Sequence, residues 1–423
     1  MPKKYFTPRK RKNEISLMRI VAVIVVVLGL VGVGIHYGMR AWSGKPEPVE
    51  TEQAPVPPVP PEASTPAVPA ASTPTPEAAP AVPPVAETTP LTPEVREALQ
   101  QADTARAAGN LEQAVSLLDA ARQKFASSPE APVVTARYAR ALEDSGKTAE
   151  AVALYEELRS SAPPGMRAEA LLGLGRNAER AGDLLAARQL YDEAFRDAPY
   201  NTPVWNDAVD AMGKTKVALI FAPMETPDSK VYELQKGDSL TSIGIKLNTT
   251  QGLLMRANNL TEQTTLQLGQ RLKYTPKDFR ILIERSSCRL FLLDNDGLFK
   301  RYYVGLGMPG YETTLGKYTI GNKEKDPIWH KKGSAPVPSG DPTNELGTRW
   351  MPLVPTAEGL PKDLGIHGTI APETIGQYKS HGCPRMKKED VEELYDLIVR
   401  STPVEIVDVL DPARLLSPVR QST

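Results

Sequence analysis

The chain has 423 residues, with 50 Lys and Arg against 51 Asp and Glu for a net charge of −1. That length exceeds what one hydrophobic core serves and predicts several domains, while the balanced charge argues neither for nucleic acid nor for another polyanion as partner, and no nucleic acid is expected. With only two cysteines, Cys288 and Cys383, a disulfide framework is excluded.

Residues 1–19 form a basic tail: Lys3, Lys4, Arg9, Lys10, Arg11, Lys12 and Arg19 face one acid, Glu14. Residues 20–39 follow without a charge. As a helix they would span about 30 Å, enough to cross a bilayer. The positive flank places the N-terminus in the cytoplasm and everything after residue 40 outside it. The competing reading is a cleaved signal peptide. It lacks a small-x-small cleavage site, since Arg40-Ala41-Trp42 comes next, so an uncleaved single-pass anchor in the cytoplasmic membrane is expected. Residues 41–92 are the linker, and 16 of the 40 prolines fall within 46–93. Such a segment cannot bury a core and is expected to be extended, with a reach of about 150 Å.

Residues 93–213 turn to Ala, Leu, Glu and Arg, and they repeat. Gly109, Gly146 and Gly182 are spaced by 37 and 36 residues. Ala114, Ala151 and Ala187 keep the offset, as do Leu117, Leu154 and Leu190, and Pro129, Pro163 and Pro199 close the units. Each unit reads as helix, glycine turn, helix, proline break. This resembles tetratricopeptide repeats, slightly longer than the usual length of about 34 residues. Val204–Met212 is expected to cap the stack. A groove for a protein or peptide and a helical spacer without a ligand both remain open.

Residues 231–276 start with a strand pattern at Val231–Leu234 and a turn at Lys236-Gly237-Asp238. Two short amphipathic helices follow, marked by Leu240, Ile243 and Leu247, then by Leu253, Leu254 and Ala257. Leu268-Gly269-Gln270-Arg271-Leu272 leads into a closing strand. The stretch closely resembles a LysM domain, a β-α-α-β module. The resemblance implies binding of N-acetylglucosamine-containing glycan, in bacteria peptidoglycan. It places the groove between Gly237, Asp238 and Ser239 and the segment after Asn259.

From Phe279 strand signals dominate: Arg280–Glu284, Arg289–Leu293, a hairpin turn at Asp294-Asn295-Asp296-Gly297, Phe299–Gly305 and Lys317–Ile320. A mainly β domain over 279–409 is expected, with 410–423 as a tail. It contains both cysteines and three of the four histidines, His330, His367 and His381. An imidazole that takes the thiol proton makes Cys383 a nucleophile. Both His367 and His381 can be brought near it. Gly382 lets backbone amides approach a substrate oxygen, and Arg385 offers a charge suited to a carboxylate. A zinc set from His330, His367, His381 and Cys383 lacks any supporting spacing. A Cys288–Cys383 disulfide would silence the thiol. His330 is read as structural.

His367-Gly368 followed by Ser380-His381-Gly382-Cys383-Pro384-Arg385 resembles the signature of the L,D-transpeptidase family. Thr313-Thr314-Leu315-Gly316-Lys317-Tyr318 resembles its TPxGxF/Y element, and Asn344-Glu345-Leu346-Gly347-Thr348-Arg349-Trp350 its NPLGxRW element. Pro384 and Thr314 depart from the common residues. The resemblance implies Cys383 as nucleophile, His367 as general base, and the Gly368 carbonyl as the group orienting that base. His381, Gly382 and Ser380 would shape the site, and Arg385 would help hold substrate. No metal or cofactor is implied. The implied reaction acylates Cys383 with a tetrapeptide stem, releases D-Ala, and passes the acyl group to a second stem as a 3→3 cross-link. Water or a protein amine as acceptor stays open, as does a non-catalytic wall-binding scaffold. A carbapenem is expected to acylate the same thiol. Altogether the chain reads as multidomain: an N-terminal transmembrane helix, all-α tetratricopeptide-like repeats, a LysM module and a mainly β catalytic domain.

Overall fold

The computed structural model describes residues 91–416 apart from Pro164, Lys331 and Lys332. The expected anchor at 20–39 and nearly all of the linker lie outside these. No helix among the described residues is long and apolar enough to cross a membrane.

Three helical hairpins come first: α1 (Pro93–Ala107) with α2 (Leu111–Lys124), α3 (Ala131–Asp144) with α4 (Thr148–Ser161), and α5 (Ala168–Arg180) with α6 (Leu184–Asp197). Their turns place Gly109, Gly146 and Gly182 at φ of 80°, 82° and 81°, a region costly for residues with a Cβ. Ala114, Ala151 and Ala187 are fully buried where successive helices approach closely. Leu117, Leu154 and Leu190 are only half-buried and pack at the margins of the core clusters. Glu143 of α3 fastens three helices: it accepts from Tyr155 of α4 at 2.9 Å and from Arg176 of α5 at 3.0 and 2.7 Å.

The expected capping helix runs well past Met212. As α7 it spans Pro203–Phe221. Its far half buries Val217, Leu219, Ile220 and Phe221. The reason lies across the interface. Arg301, almost wholly buried, donates twice to Asp210 at 2.8 Å, and Lys216 donates to the Leu298 carbonyl at 2.7 Å. Thus α7 is the joint between the repeats and the β domain, apolar on more than one face because it is covered on more than one face.

The LysM module follows as β1 (Lys230–Glu233), α8 (Leu240–Lys246), α9 (Gln251–Ala257) and β2 (Arg271–Tyr274), with β1 and β2 antiparallel over Leu234, Ile243, Leu254 and Leu272. Ser239 and Ser242 form a reciprocal capping box at the start of α8.

The β domain has β3 (Arg280–Glu284), β4 (Arg289–Asp294), β5 (Gly297–Tyr303), β6 (Leu306–Gly307), β7 (Gly316–Ile320), β8 (Glu324–Lys325), β9 (Arg349–Pro355), β10 (Gly365–His367), β11 (Tyr378–Ser380), α10 (Lys388–Leu397) and β12 (Pro403–Val407). The main sheet runs β10-β9-β7-β12-β3-β4-β5, with β8 on β9. Only the β12–β3 pair in it is parallel. Along β4, Leu290 and Leu292 enter one core while Phe291 and Leu293 enter the other, which holds α5, α6 and α7 residues. A strand covered on both faces reads as a continuous apolar run rather than an alternating one. Beyond 409 the chain is not a loose tail as far as Leu416: Leu410 and Leu415 are buried, and the Leu410 amide donates to Glu284 at 2.8 Å.

Candidate active site

β10 lies antiparallel to β9, with His367 opposite Trp350 and the two rings 5.6 Å apart. On its other side the Pro384–Met386 backbone runs alongside. The His367 amide donates to the Pro384 carbonyl at 3.1 Å, and the Met386 amide donates to the His367 carbonyl at 2.8 Å. Arg385 meanwhile exchanges backbone hydrogen bonds with Gly305 at 2.8 and 2.9 Å. The segment after Cys383 is therefore wedged between two backbones, and Cys383 and His367, 16 positions apart, come to line one cavity of about 420 Å³.

A second clamp holds the turn just before the thiol. Gly382 has φ +115°, open to glycine and strained for other residues. Its amide donates to Ser380 Oγ at 3.1 Å, and its carbonyl accepts from Thr313 Oγ1 at 2.7 Å. Thr313, fully buried, also accepts from the Gly307 amide at 3.0 Å. The Gly382 amide is thus committed internally, and Pro384 has none to offer.

The thiol donates to the Asp363 carbonyl at 3.8 Å. Burial pushes its pKa up and the Asp363 charge adds to this, against a Gly365 amide and the Arg385 charge. Burial, then the Arg385 charge, push the His367 imidazole down to about 4, against nearby carbonyls of Gly368, Glu345 and Leu346. His367 Nδ1 is buried without a hydrogen bond of full geometry. Burial thus disfavours the charged form of both groups, thiolate and imidazolium alike.

The other predicted residues are placed as follows. Arg385 lines the cavity, but its guanidinium donates to Glu345 at 2.8 Å, so one face is already occupied. His381 is exposed and stands edge-on to Tyr311, with centroids 5.1 Å apart. His330, read from the sequence as structural, is exposed and lines the cavity. Cys288 is buried in the β3–β4 turn, its thiol raised by burial, and both cysteines are free. Among the described residues no group of three or more His, Cys, Asp or Glu is arranged to hold a metal. In the LysM module Gly237, Ser239 and Asn259 are exposed. Asp238 is turned inward, accepting from Tyr232 at 2.7 Å and from the Gln235 amide at 2.8 Å. A larger cleft of about 910 Å³, beside Lys277 and Asp294, has neither thiol nor imidazole. Thr313, Glu345, Asp363 and Trp350 had no assigned role from the sequence. Three of them lay within recognisable motifs, whereas Asp363 acts through a backbone carbonyl that no motif reports.

Residues 278–406 match the YkuD family, described as the L,D-transpeptidase catalytic domain. Residues 232–275 match the LysM domain and 105–174 a tetratricopeptide repeat. YqjB of Bacillus subtilis, which bears an L,D-transpeptidase name, is 30% identical over 134 residues, covering 31% of this chain and 73% of YqjB. The chain belongs to the L,D-transpeptidase family. YkuD of Bacillus licheniformis, similarly named, is 28% identical over 182 residues, covering 42% of this chain and 98% of YkuD. In this L,D-transpeptidase, the LysM module and the catalytic domain directly follow the repeats.

The depressed His367 has a consequence for stability. The unfolded imidazole takes its proton near 6.5 and the folded one near 4, so between these values the unfolded state holds more protons. This contribution is complete above pH 6.5 and is lost as pH falls toward 4, by about 3 kcal/mol in all. Thermal melts from pH 7 to 4 should show a steeper loss for the wild type than for His367→Gln. Parallel curves would contradict the burial argument.

Proposed function

We propose that this protein cross-links peptidoglycan stems through an acyl-enzyme on Cys383, anchored in the cytoplasmic membrane by residues 20–39 with its catalytic domain outside. The observation that carries the reading is the joint presence of Cys383 and His367 in one cavity, fixed by backbone bonds on both sides of Pro384–Met386. Cys383 Sγ attacks the carbonyl of the third stem residue while His367 takes the thiol proton. With the Gly382 amide committed to Ser380 and Pro384 lacking an N–H, the Cys383 amide is assigned as the donor for the oxyanion. Such a donor is worth about 3 kcal/mol in acyl transfer. Collapse of the tetrahedral intermediate breaks the peptide bond, and His367 returns the proton to the departing D-Ala amine. A side-chain amine of a second stem then attacks the thioester and gives up a proton to His367, and the thiol is restored. Gly237, Ser239 and Asn259 present the LysM face to the glycan, with Asp238 fixing the turn. Arg385, held by Glu345, and Ser380 shape the stem-binding side.

The full chain, incubated with disaccharide-tetrapeptide, should yield a dimer lighter than two substrates by one D-Ala, linked between third residues. A shortened monomer without dimer would make water the acceptor. Unchanged substrate would remove the catalytic reading.

A further inference from the structure

The LysM module is not tethered to the catalytic domain but built into it. Leu253 and Ala257 of α9 belong to the same buried cluster as Ile281, Leu290 and Val391 of the catalytic domain. Asp396, in the last turn of α10, receives three approaches from α9 and its cap. Thr250 donates to its carbonyl, Arg256 meets its carboxylate at 3.3 Å, and a Cβ on Gly252 would fall 2.2 Å from its Oδ1. From β2, Lys273, almost fully buried, donates to the Leu219 carbonyl at 2.9 Å and to that of Ala222, both at the end of α7. A cation on helix-terminal carbonyls, a shared apolar core and a glycine-dependent close approach together fix the module's orientation.

The loop after α9 points this arrangement toward chemistry. It carries the exposed Asn259 and, three positions on, Glu262, which pairs with Lys325 of β8 at 3.2 Å. The neighbouring Glu324 lines the cavity of Cys383. In register Glu324 faces Trp350 of β9, which lines the same cavity. A continuous run of residues thus connects the glycan-facing loop to the thiol.

We infer that the LysM face and the Cys383 cavity form one fixed substrate surface, so that the enzyme takes stems carried on a glycan strand over free stem peptides. This rests on Cys383 being the acyl carrier. A stem whose glycan is already seated on the module is presented at high effective concentration, an advantage that depends on fixed geometry.

The test compares a free tetrapeptide with the same stem on a glycan oligomer of at least two disaccharides, using the full chain. Wild type should favour the glycan-linked stem in kcat/KM by tenfold or more on the order expected for a tethered ligand. Gly252→Leu should wedge the module from Asp396 and bring that preference to within about twofold. Its rate on free peptide and its binding of peptide-free glycan should persist. Lys325→Glu and Glu262→Lys should each reduce the preference and the double exchange should restore it, a reciprocity that local misfolding would not produce. Equal use of both substrates by wild type, or a preference unchanged in Gly252→Leu and in both charge reversals, overturns the inference and leaves the proposed reaction standing. Failure to consume either substrate overturns both.

Discussion

Cys383→Ala is expected to abolish covalent capture of a carbapenem, whose strained ring presents an acyl carbon to the thiol. Intact-protein mass spectrometry should show one adduct on the wild type and on Cys288→Ala, and none on Cys383→Ala. Removing a nucleophile costs on the order of 10⁴-fold or more in rate, so the contrast should be absolute on the time scale of the assay. The physical reason lies in position. Cys383 lines the open cavity beside His367. Cys288 is 3% exposed in the apolar core, and burial raises its pKa. An adduct that persists in Cys383→Ala and disappears in Cys288→Ala would refute the assignment. An adduct seen only after reduction would point instead to a disulfide between the two.

His367→Ala should slow acylation by about 10²–10⁴-fold, the usual worth of a general base. The wild-type rate should not show a histidine limb near pH 6.5, because the buried imidazole stays neutral down to about 4. His381→Ala should cost far less: that ring lines the same cavity but is exposed and stands edge-on to Tyr311, whereas His367 is buried and held by backbone bonds on both sides. Single-turnover acylation that survives His367→Ala and fails in His381→Ala would reverse the two roles.

The organisation of the chain is legible because local chemistry is periodic. Glycine turns at a fixed spacing mark helical hairpins whatever surrounds them, since the positive φ is demanded by the turn itself. The same holds for the β3–β4–β5 meander, where Asp294 and Gly297 announce the hairpin.

Elements defined by what covers them were misjudged. The second half of α7 is not legible locally because it is apolar against the β domain and the LysM module, partners that lie far away in sequence. The packing of Leu410 and Leu415 into the interdomain core, where the sequence suggests a tail, has the same cause.

At the site, the sequence by itself determined where a thiol, two imidazoles and a glycine with φ beyond +100° stand along the chain, because each of these residue types has a chemistry or a backbone freedom that the others lack. Tertiary structure alone decided their state. The upward push on the Cys383 thiol and the downward push on the His367 imidazole, the commitment of the Gly382 amide to Ser380, and the pairing of Arg385 with Glu345 all arise from burial and from neighbours up to 40 positions away. Desolvation and Coulomb terms depend on distance in space, and no spacing along the chain encodes them.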